Sequence, residues 1–364
     1  MEAEHDNLRA ALTWSVEHDP ESALRLAGRL ADFWRRAGHH AEGRRWLNSV
    51  VAPTRLSRTL LRARAQVLLG AGQLAADAGE FGPSLVSQAE ESVQLFREAE
   101  DQRGLVMALQ HLGRCVLDSG GAIEQVRPLF EESLQVAQHL NDGHGIGFAL
   151  ANLAYLAWRQ GNHREAREQY QQAVAFIRAS GDAMFTALVL GLLSWSTLAD
   201  GDVALARRYQ EEGVAILRRL DAKEAVGLAL LGLAQITRAE GDDVQLRTLV
   251  AESAPLLRET GSPGLSDWLS FVGLVEVERG KSARGVRLLS AGESEGPRIG
   301  SLRILLYEMP RDAVEAGLTT ARAALGGKAV DAAWAEGKAM TLEQAVDYAL
   351  EEEGTSENML WLKV

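Results

Sequence analysis

Seven times a glycine closes an apolar helical stretch (Gly38, Gly79, Gly120 or Gly121, Gly161, Gly201, Gly241 and Gly280), and these glycines recur about forty residues apart. A fixed period of that length marks a stacked array of like units, not a single compact core. One unit cannot bury its apolar face alone, so its neighbours must cover it. The fourth copy shows what a unit contains. Leu150, Leu153, Ala154 and Ala157 before Gly161 form an i, i+3, i+4, i+7 stripe, and Ala166, Tyr170, Ala173, Val174 and Ile177 after it form another. Each period therefore holds two helices, and the small Ala154 and Ala166 let antiparallel partners approach closely. Glycine at the turn supplies the left-handed backbone that ends the first helix.

The pattern predicts an all-α protein, a right-handed superhelical solenoid of about seven extended helix pairs over 21–296. A capping helix is expected over 1–20, carried by Leu8, Ala11, Leu12 and Val16 and broken at Asp19-Pro20. Beyond the array the pattern changes. A helical cap is expected over 297–353, irregular from Pro297 to Pro310, then three short helices over 322–327, 328–337 and 341–349. Thr341 and Gln344 have capping-box spacing, and 354–364 is expected to be a disordered tail.

Charge narrows the partners. The formal net charge of −12 repels nucleic acid and anionic lipid, so neither is expected to bind directly. Cys115 is the only cysteine, which excludes an intrachain disulfide; set in an apolar run, it reads as a small core filler. No apolar run approaches the ~20 residues of a membrane span, and the acidic start lacks the apolar region of a signal peptide. A cytoplasmic location is expected.

Catalytic chemistry finds no foothold. Gly-Lys-Ser at 280–282 lacks the upstream glycine of a phosphate loop, because position 275 is Val275. The glycine-rich run at 143–147 precedes no βαβ unit and reads as a flexible link between repeats. None of the eight histidines forms a His-Glu-x-x-His pair; His39, His40 and His163 fall in the turns, where solvent exposure is expected. No metal, cofactor or enzyme activity is assigned.

Binding is the remaining role. The first helices of such pairs line a concave wall, at positions one and five beyond the small packing residue. These positions are Arg35 and Arg36, Gln73 and Asp77, Arg114 and Asp118, Tyr155 and Arg159, Trp195, and Gln235, with Gln110, His111 and Asn152 one turn earlier. Aromatic faces beside amide and guanidinium donors suit a peptide or a small molecule. The candidate set is Gln110, Arg114, Asn152, Tyr155, Arg159, Trp195 and Gln235, centred on units three to five. Two alternatives stay open: Trp158 and Trp195 as core between repeats, and Arg114, Asp118 and Arg159 as a salt-bridge ladder.

Leu153, Ala154, Gly161, Ala166, Tyr170 and Ala173 resemble the tetratricopeptide repeat. That family repeats every 34 residues; the longer period here adds about one and a half helical turns per pair. The stretches at 4–11, 25–39, 42–47 and 332–349 resemble the C-terminal repeat regions of bacterial signalling ATPases with an NB-ARC-like switch, including LuxR-type and SARP-type regulators and cyclase-linked relatives. This resemblance implies a repeat sensor that binds an inducer or partner and controls an attached switch ATPase. It transfers no ligand residues. A freestanding scaffold holding a peptide or helix is the alternative, and self-association through the array ends stays open.

Overall fold

The computed structural model describes residues 4–50, 58–262, 264–293 and 311–351, and these residues contain eighteen helices and no strand. The chain forms two compact units, one reaching to Tyr209 and one starting at Gln210. The first holds α1 (His5–His18), α2 (Pro20–Arg36), α3 (His40–Val50), α4 (Arg58–Asp77), α5 (Pro83–Glu98), α6 (Gln102–Asp118), α7 (Ile123–His139), α8 (Gly143–Arg159), α9 (His163–Ser180) and α10 (Ala183–Ala199). The boundary falls within α11 (Val203–Arg219). The second unit continues with α12 (Lys223–Glu240), α13 (Asp243–Glu259), α14 (Gly264–Glu278), α15 (Ser282–Ala291), α16 (Arg311–Leu325), α17 (Gly327–Lys338) and α18 (Leu342–Leu350).

From α2 to α15 the helices form seven consecutive pairs, and every one of the seven periodic glycines has positive φ at the turn inside its pair. At Gly161 the chain makes a Schellman-type stop, with the Asn162 N–H reaching back 2.9 Å to the Ala157 carbonyl. A second set of left-handed residues, Glu100, Asn141, Gly181, Asp221 and Gly261, ends the second helix of successive pairs. Three of the helices that follow these stops, α6, α8 and α10, and two that follow the glycine turns, α11 and α13, start on an aspartate. Asp101, Asp142, Asp182, Asp202 and Asp242 each accept a hydrogen bond from the backbone N–H three residues on, at 2.8–3.1 Å. These caps satisfy first-turn donors that would otherwise lack partners.

The two helices of a pair are not equivalent. α9 buries one stripe, Ala166, Tyr170, Ala173, Val174 and Ile177, whereas α10 buries nearly its whole circumference from Phe185 to Thr197. α10, buried nearly all round, is apolar almost throughout its sequence, whereas α9, which buries one stripe, is polar on its other faces.

The run at 143–147 is no flexible link. It forms the opening turns of α8, where a Cβ at Gly147 would lie 2.5 Å from Ile177 Cγ1 and 3.2 Å from the Ala173 carbonyl. Glycine there lets α8 and α9 touch backbone to side chain. The cap also differs from expectation: 322–325 is the end of α16, not a separate helix, and Gly326 with φ +80° starts α17. The expected third helix is present as α18. Its capping box is formed, with the Gln344 N–H donating to Thr341 Oγ1 (3.2 Å) and the Thr341 N–H to Gln344 Oε1 (2.9 Å). The buried Arg284 fastens α18 by donating to the carbonyls of Tyr348, Ala349 and Glu351, while Glu276 pairs with its Nε at 3.2 Å. The expected irregular stretch and tail, 297–310 and 354–364, lie outside the described residues.

Candidate functional site

Two consecutive first helices, α6 and α8, carry the densest polar chemistry of the first unit. Both start on an aspartate cap, so residues equally far from Asp101 and Asp142 take equivalent places. Arg114 and Tyr155 stand thirteen residues in, and Asp118 and Arg159 seventeen. The structure joins all four. The Arg114 guanidinium lies 5.4 Å from the centre of the Tyr155 ring and the Arg159 guanidinium 5.8 Å. Arg114 Nη2 is 3.4 Å from both Asp118 carboxylate oxygens, and Arg159 Nη1 donates to Tyr155 Oη at 3.4 Å. The Trp158 ring stacks against Tyr155 with centroids 6.1 Å apart.

Tyr155 is itself buried, with 5% exposure. Its ring is a support under two cations, and the groups presented outward are the guanidiniums. Burial raises the Asp118 carboxyl above the usual carboxylate range, and Arg114 and Arg159 oppose that rise. The salt-bridge and ligand-contact readings thus describe one cluster: Asp118 orients Arg114, and Tyr155 orients both arginines.

Asn152 lies one turn before Tyr155, on the same face of α8. Its Nδ2 is buried and has no hydrogen-bond partner among the described residues. An amide left in that state costs about 1–3 kcal/mol.

Gln110 and His111 have other tasks. Gln110 is buried, and its Nε2 donates to Ser133 Oγ on α7 (3.0 Å) and to the Gly145 carbonyl on α8 (3.2 Å). It ties three helices together, which corrects its expected place on the wall. His111 is also buried; desolvation pushes its imidazole down to about 4. It packs against α4 at Gly72, where a Cβ would lie 2.5 Å from its Nε2. Its other neighbour is Cys115, whose thiol burial pushes up to about 12, as suits an inert core filler.

The remaining candidates are more scattered. Trp195 on α10 and Gln235 on α12 are half-buried, Gln235 in the second unit. Arg35 is exposed and pairs with Asp32 at 3.0 Å, Gln73 is half-buried and Asp77 exposed; the Arg36 side chain is outside the described residues.

An aromatic group at the opposite ends of α8 and α10 escaped the sequence reading. Phe148 and Phe185 stack with centroids 3.6 Å apart, beside an exposed His144 whose Nε2 lies 3.2 Å from Asp182 Oδ2. The exposed Met107 holds the α6 place equivalent to Phe148. Counting from the aspartate caps relates only Phe148 and Met107; Phe185, three residues after Asp182, stands a turn earlier on its helix, so its meeting with Phe148 is a tertiary fact. Among the described residues no helix is long and apolar enough to cross a membrane.

Residues 121–179 and 145–219 match the tetratricopeptide repeat family. These segments run from α7 to α11. The fold is a tetratricopeptide-repeat solenoid. In sequence the chain is 33% identical over 149 residues to proteins named as HTH-type transcriptional regulators in Mycobacterium bovis and Mycobacterium tuberculosis. That match covers 39% of this chain and 16% of each relative, so the chain spans a small fraction of their length. Among solved structures, the apo form of RapI aligns with a TM-score of 0.53 at 13% identity, covering 84% of this chain and 99% of that one. The Rap conjugation gene regulator of plasmid pLS20, in complex with the Phr* peptide, gives 0.52 at 14% identity, covering 86% and 79%. A signal transduction ATPase with numerous domains from Pyrococcus horikoshii, which has a tetratricopeptide repeat sensor, gives 0.50 at 16% identity, covering 68% and 39%. At such identities the likeness establishes the fold.

Proposed function

We propose that this chain is the signal-recognition part of a regulator, and that the α6–α8 face binds an acidic peptide or a small anionic inducer. The observation that carries this is the pair of guanidiniums held over Tyr155 beside the unpartnered Asn152 amide. A carboxylate seated between Arg114 and Arg159 gains charge-assisted hydrogen bonds, and Asn152 Nδ2 gains the acceptor it lacks. Asp118 keeps Arg114 from folding back onto apolar neighbours.

The relatives fit this reading. A Rap regulator with a similar fold is bound to a peptide, a signalling ATPase has such an array as its sensor, and the mycobacterial relatives are named as transcriptional regulators. Output through an attached switch ATPase or DNA-binding module extends the same proposal. Each repeat touches only its neighbours, so ligand bridging α6 and α8 biases the stacking between them. The ligand controls output only to the degree that it prefers one stacking over the other. The alternative, a scaffold for a protein partner, is favoured by the exposed Met107, Phe176 and Met184.

The test is a thermal-shift screen of short peptides with and without acidic residues. A true ligand at a hundred times its dissociation constant stabilises by about 2.7 kcal/mol. The shift should vanish in Arg159→Ala and persist in Arg35→Ala. Hits that ignore both Arg114→Ala and Arg159→Ala would place recognition elsewhere.

A further inference from the structure

The first helix pair gathers three metal-ligating side chains that are distant in sequence. His5 begins α1, His39 follows the turn glycine Gly38, and Glu42 lies in the first turn of α3. One nitrogen from each histidine and one Glu42 oxygen all lie within 4.8 Å of one another. His39, expected in an exposed turn, is instead half-buried, with its ring 4.5 Å from that of His5 and 5.9 Å from Phe33. Phe33 also meets the His5 ring edge-on at 5.4 Å, so an apolar wall backs both imidazoles.

Two details separate this group from an ordinary ion pair. His5 Nε2 and Glu42 Oε2 are 3.4 Å apart, and each side chain is only 11% exposed. A charge-assisted hydrogen bond spans about 2.7–2.9 Å. A tetrahedron with metal–ligand bonds of about 2.0–2.1 Å has edges of about 3.3–3.4 Å, which is the separation seen. The second detail is that His5 Nε2 is buried and makes no hydrogen bond among the described residues.

Glu42 is already set as a ligating carboxylate. Arg9 Nε (2.7 Å) and Trp46 Nε1 (3.3 Å) donate to Oε1, and Arg9 Nη2 donates to Oε2 at 2.7 Å. These bonds orient the group as outer-shell partners orient metal ligands. They leave one side of Oε2 directed to His5.

We propose that His5, His39 and Glu42 bind one divalent transition-metal ion of the zinc class. Two imidazoles and one carboxylate are a borderline donor set that suits zinc and excludes calcium or magnesium, which take all-oxygen shells. With three protein ligands, a fourth position is left for water. The ion clamps the start of α1 to the α2–α3 turn, joining the capping helix to the array.

The experiment uses the full chain, purified without a histidine tag, stripped with a chelator and dialysed. Zinc chloride is titrated calorimetrically and in competition with a chromophoric zinc indicator; cobalt(II) is added separately to record its visible absorption. The expected result is one equivalent of zinc per chain, a cobalt band of low-coordinate intensity, and a zinc-dependent rise in Tm. His5→Ala and the size-preserving His39→Gln should each weaken binding at least about tenfold, the range by which even outer-shell changes act, with unchanged circular dichroism. Cys115→Ser should bind as wild type, which excludes the buried His111–Cys115 pair as the source. Arg9→Met removes the bonds that orient Glu42 and should weaken zinc binding, though less than His5→Ala does. Absence of stoichiometric binding, or equal affinity in His5→Ala and His39→Gln, overturns the proposal and leaves an Arg9–Glu42 ion pair with two packed histidines.

Discussion

The first helices of the third and fourth pairs and that of the sixth stand on the same ladder but carry different residues. Ten, thirteen and seventeen residues after the cap, α6 has His111, Arg114 and Asp118, and α8 has Asn152, Tyr155 and Arg159. The matching places in α12, counted from Ala222, hold Gly232, Gln235 and Ala239. α12 shows that stacking there needs neither a charge nor an aromatic ring: a glycine, a glutamine and an alanine suffice. In α6 and α8 the fold instead carries a neutral buried imidazole, a partly buried carboxyl with its affinity for protons raised, and an amide donor without a partner. Departures from the cheapest packing solution concentrate where a protein has a task besides folding. That contrast is why the α6–α8 face, and not the array as a whole, is the candidate site.

The comparison can be sharpened by perturbing each side. The largest effect is expected where packing acts alone. Trp268 on α14 is fully buried and donates its Nε1–H to Ser253 Oγ (3.0 Å) and to the Val250 carbonyl (3.2 Å). Trp268→Ala should cost about 3–5 kcal/mol in urea unfolding.

Next comes acid sensitivity on the α6 side. In the unfolded chain His111 takes up its proton near pH 6.5, whereas in the folded chain it does so only near 4. Between those values the unfolded state binds more protons, so stability is full above about 6.5 and falls as pH drops toward 4. The urea midpoint of wild type should decline through that window, and that of His111→Gln should decline less. Equal slopes would mean that His111 is reached by solvent.

α12 starts on Ala222 without a side-chain cap, so the capping comparison is between α8 and α13, the second helix of the sixth pair. Asp142 accepts from the Gly145 N–H at 3.1 Å and Asp242 from the Gln245 N–H at 3.0 Å. Asp142→Ala and Asp242→Ala should each cost about 1 kcal/mol. A large inequality would break the view that the repeats share one local grammar and differ only on the groove face.

The smallest change has the most informative sign. Asn152→Leu keeps the shape and removes the unpartnered donor, so it should stabilise the chain by about 1 kcal/mol while weakening any ligand of the α6–α8 face. A loss of stability would show that the amide is satisfied within the fold, and Asn152 would leave the site.

Particular residues show why some of this was legible beforehand. Left-handed turns at Gly38, Gly161 or Gly241 announce themselves because glycine is the residue that adopts positive φ without penalty. The alternate turns were hidden because Glu100, Asn141 and Asp221 take the same conformation with φ of 51–56°. Their signal is the following aspartate at 101 and 142, a helix start that is informative only once the helix length is known. That Arg114, Tyr155 and Arg159 share one face follows from periodicity; that they meet across α6 and α8 is seen only in the structure. Gln110 was misplaced because position alone does not tell whether an amide faces solvent or, as here, bridges Ser133 and Gly145. The run at 143–147 was misread because glycine permits both flexibility and close approach, and only the neighbouring Ile177 decides between them.

By itself, then, the sequence determined the helix pairs, their number and the ladder of positions along each first helix, because turn chemistry and helical period are local properties. The tertiary structure decided what those positions do. It placed Tyr155 beneath two guanidiniums, withdrew Gln110 and His111 into the packing, and brought His5 to His39 and Glu42. Burial, charge pairing and ligand geometry depend on atoms that meet across helices, and no pattern along one strand of sequence encodes which of them touch.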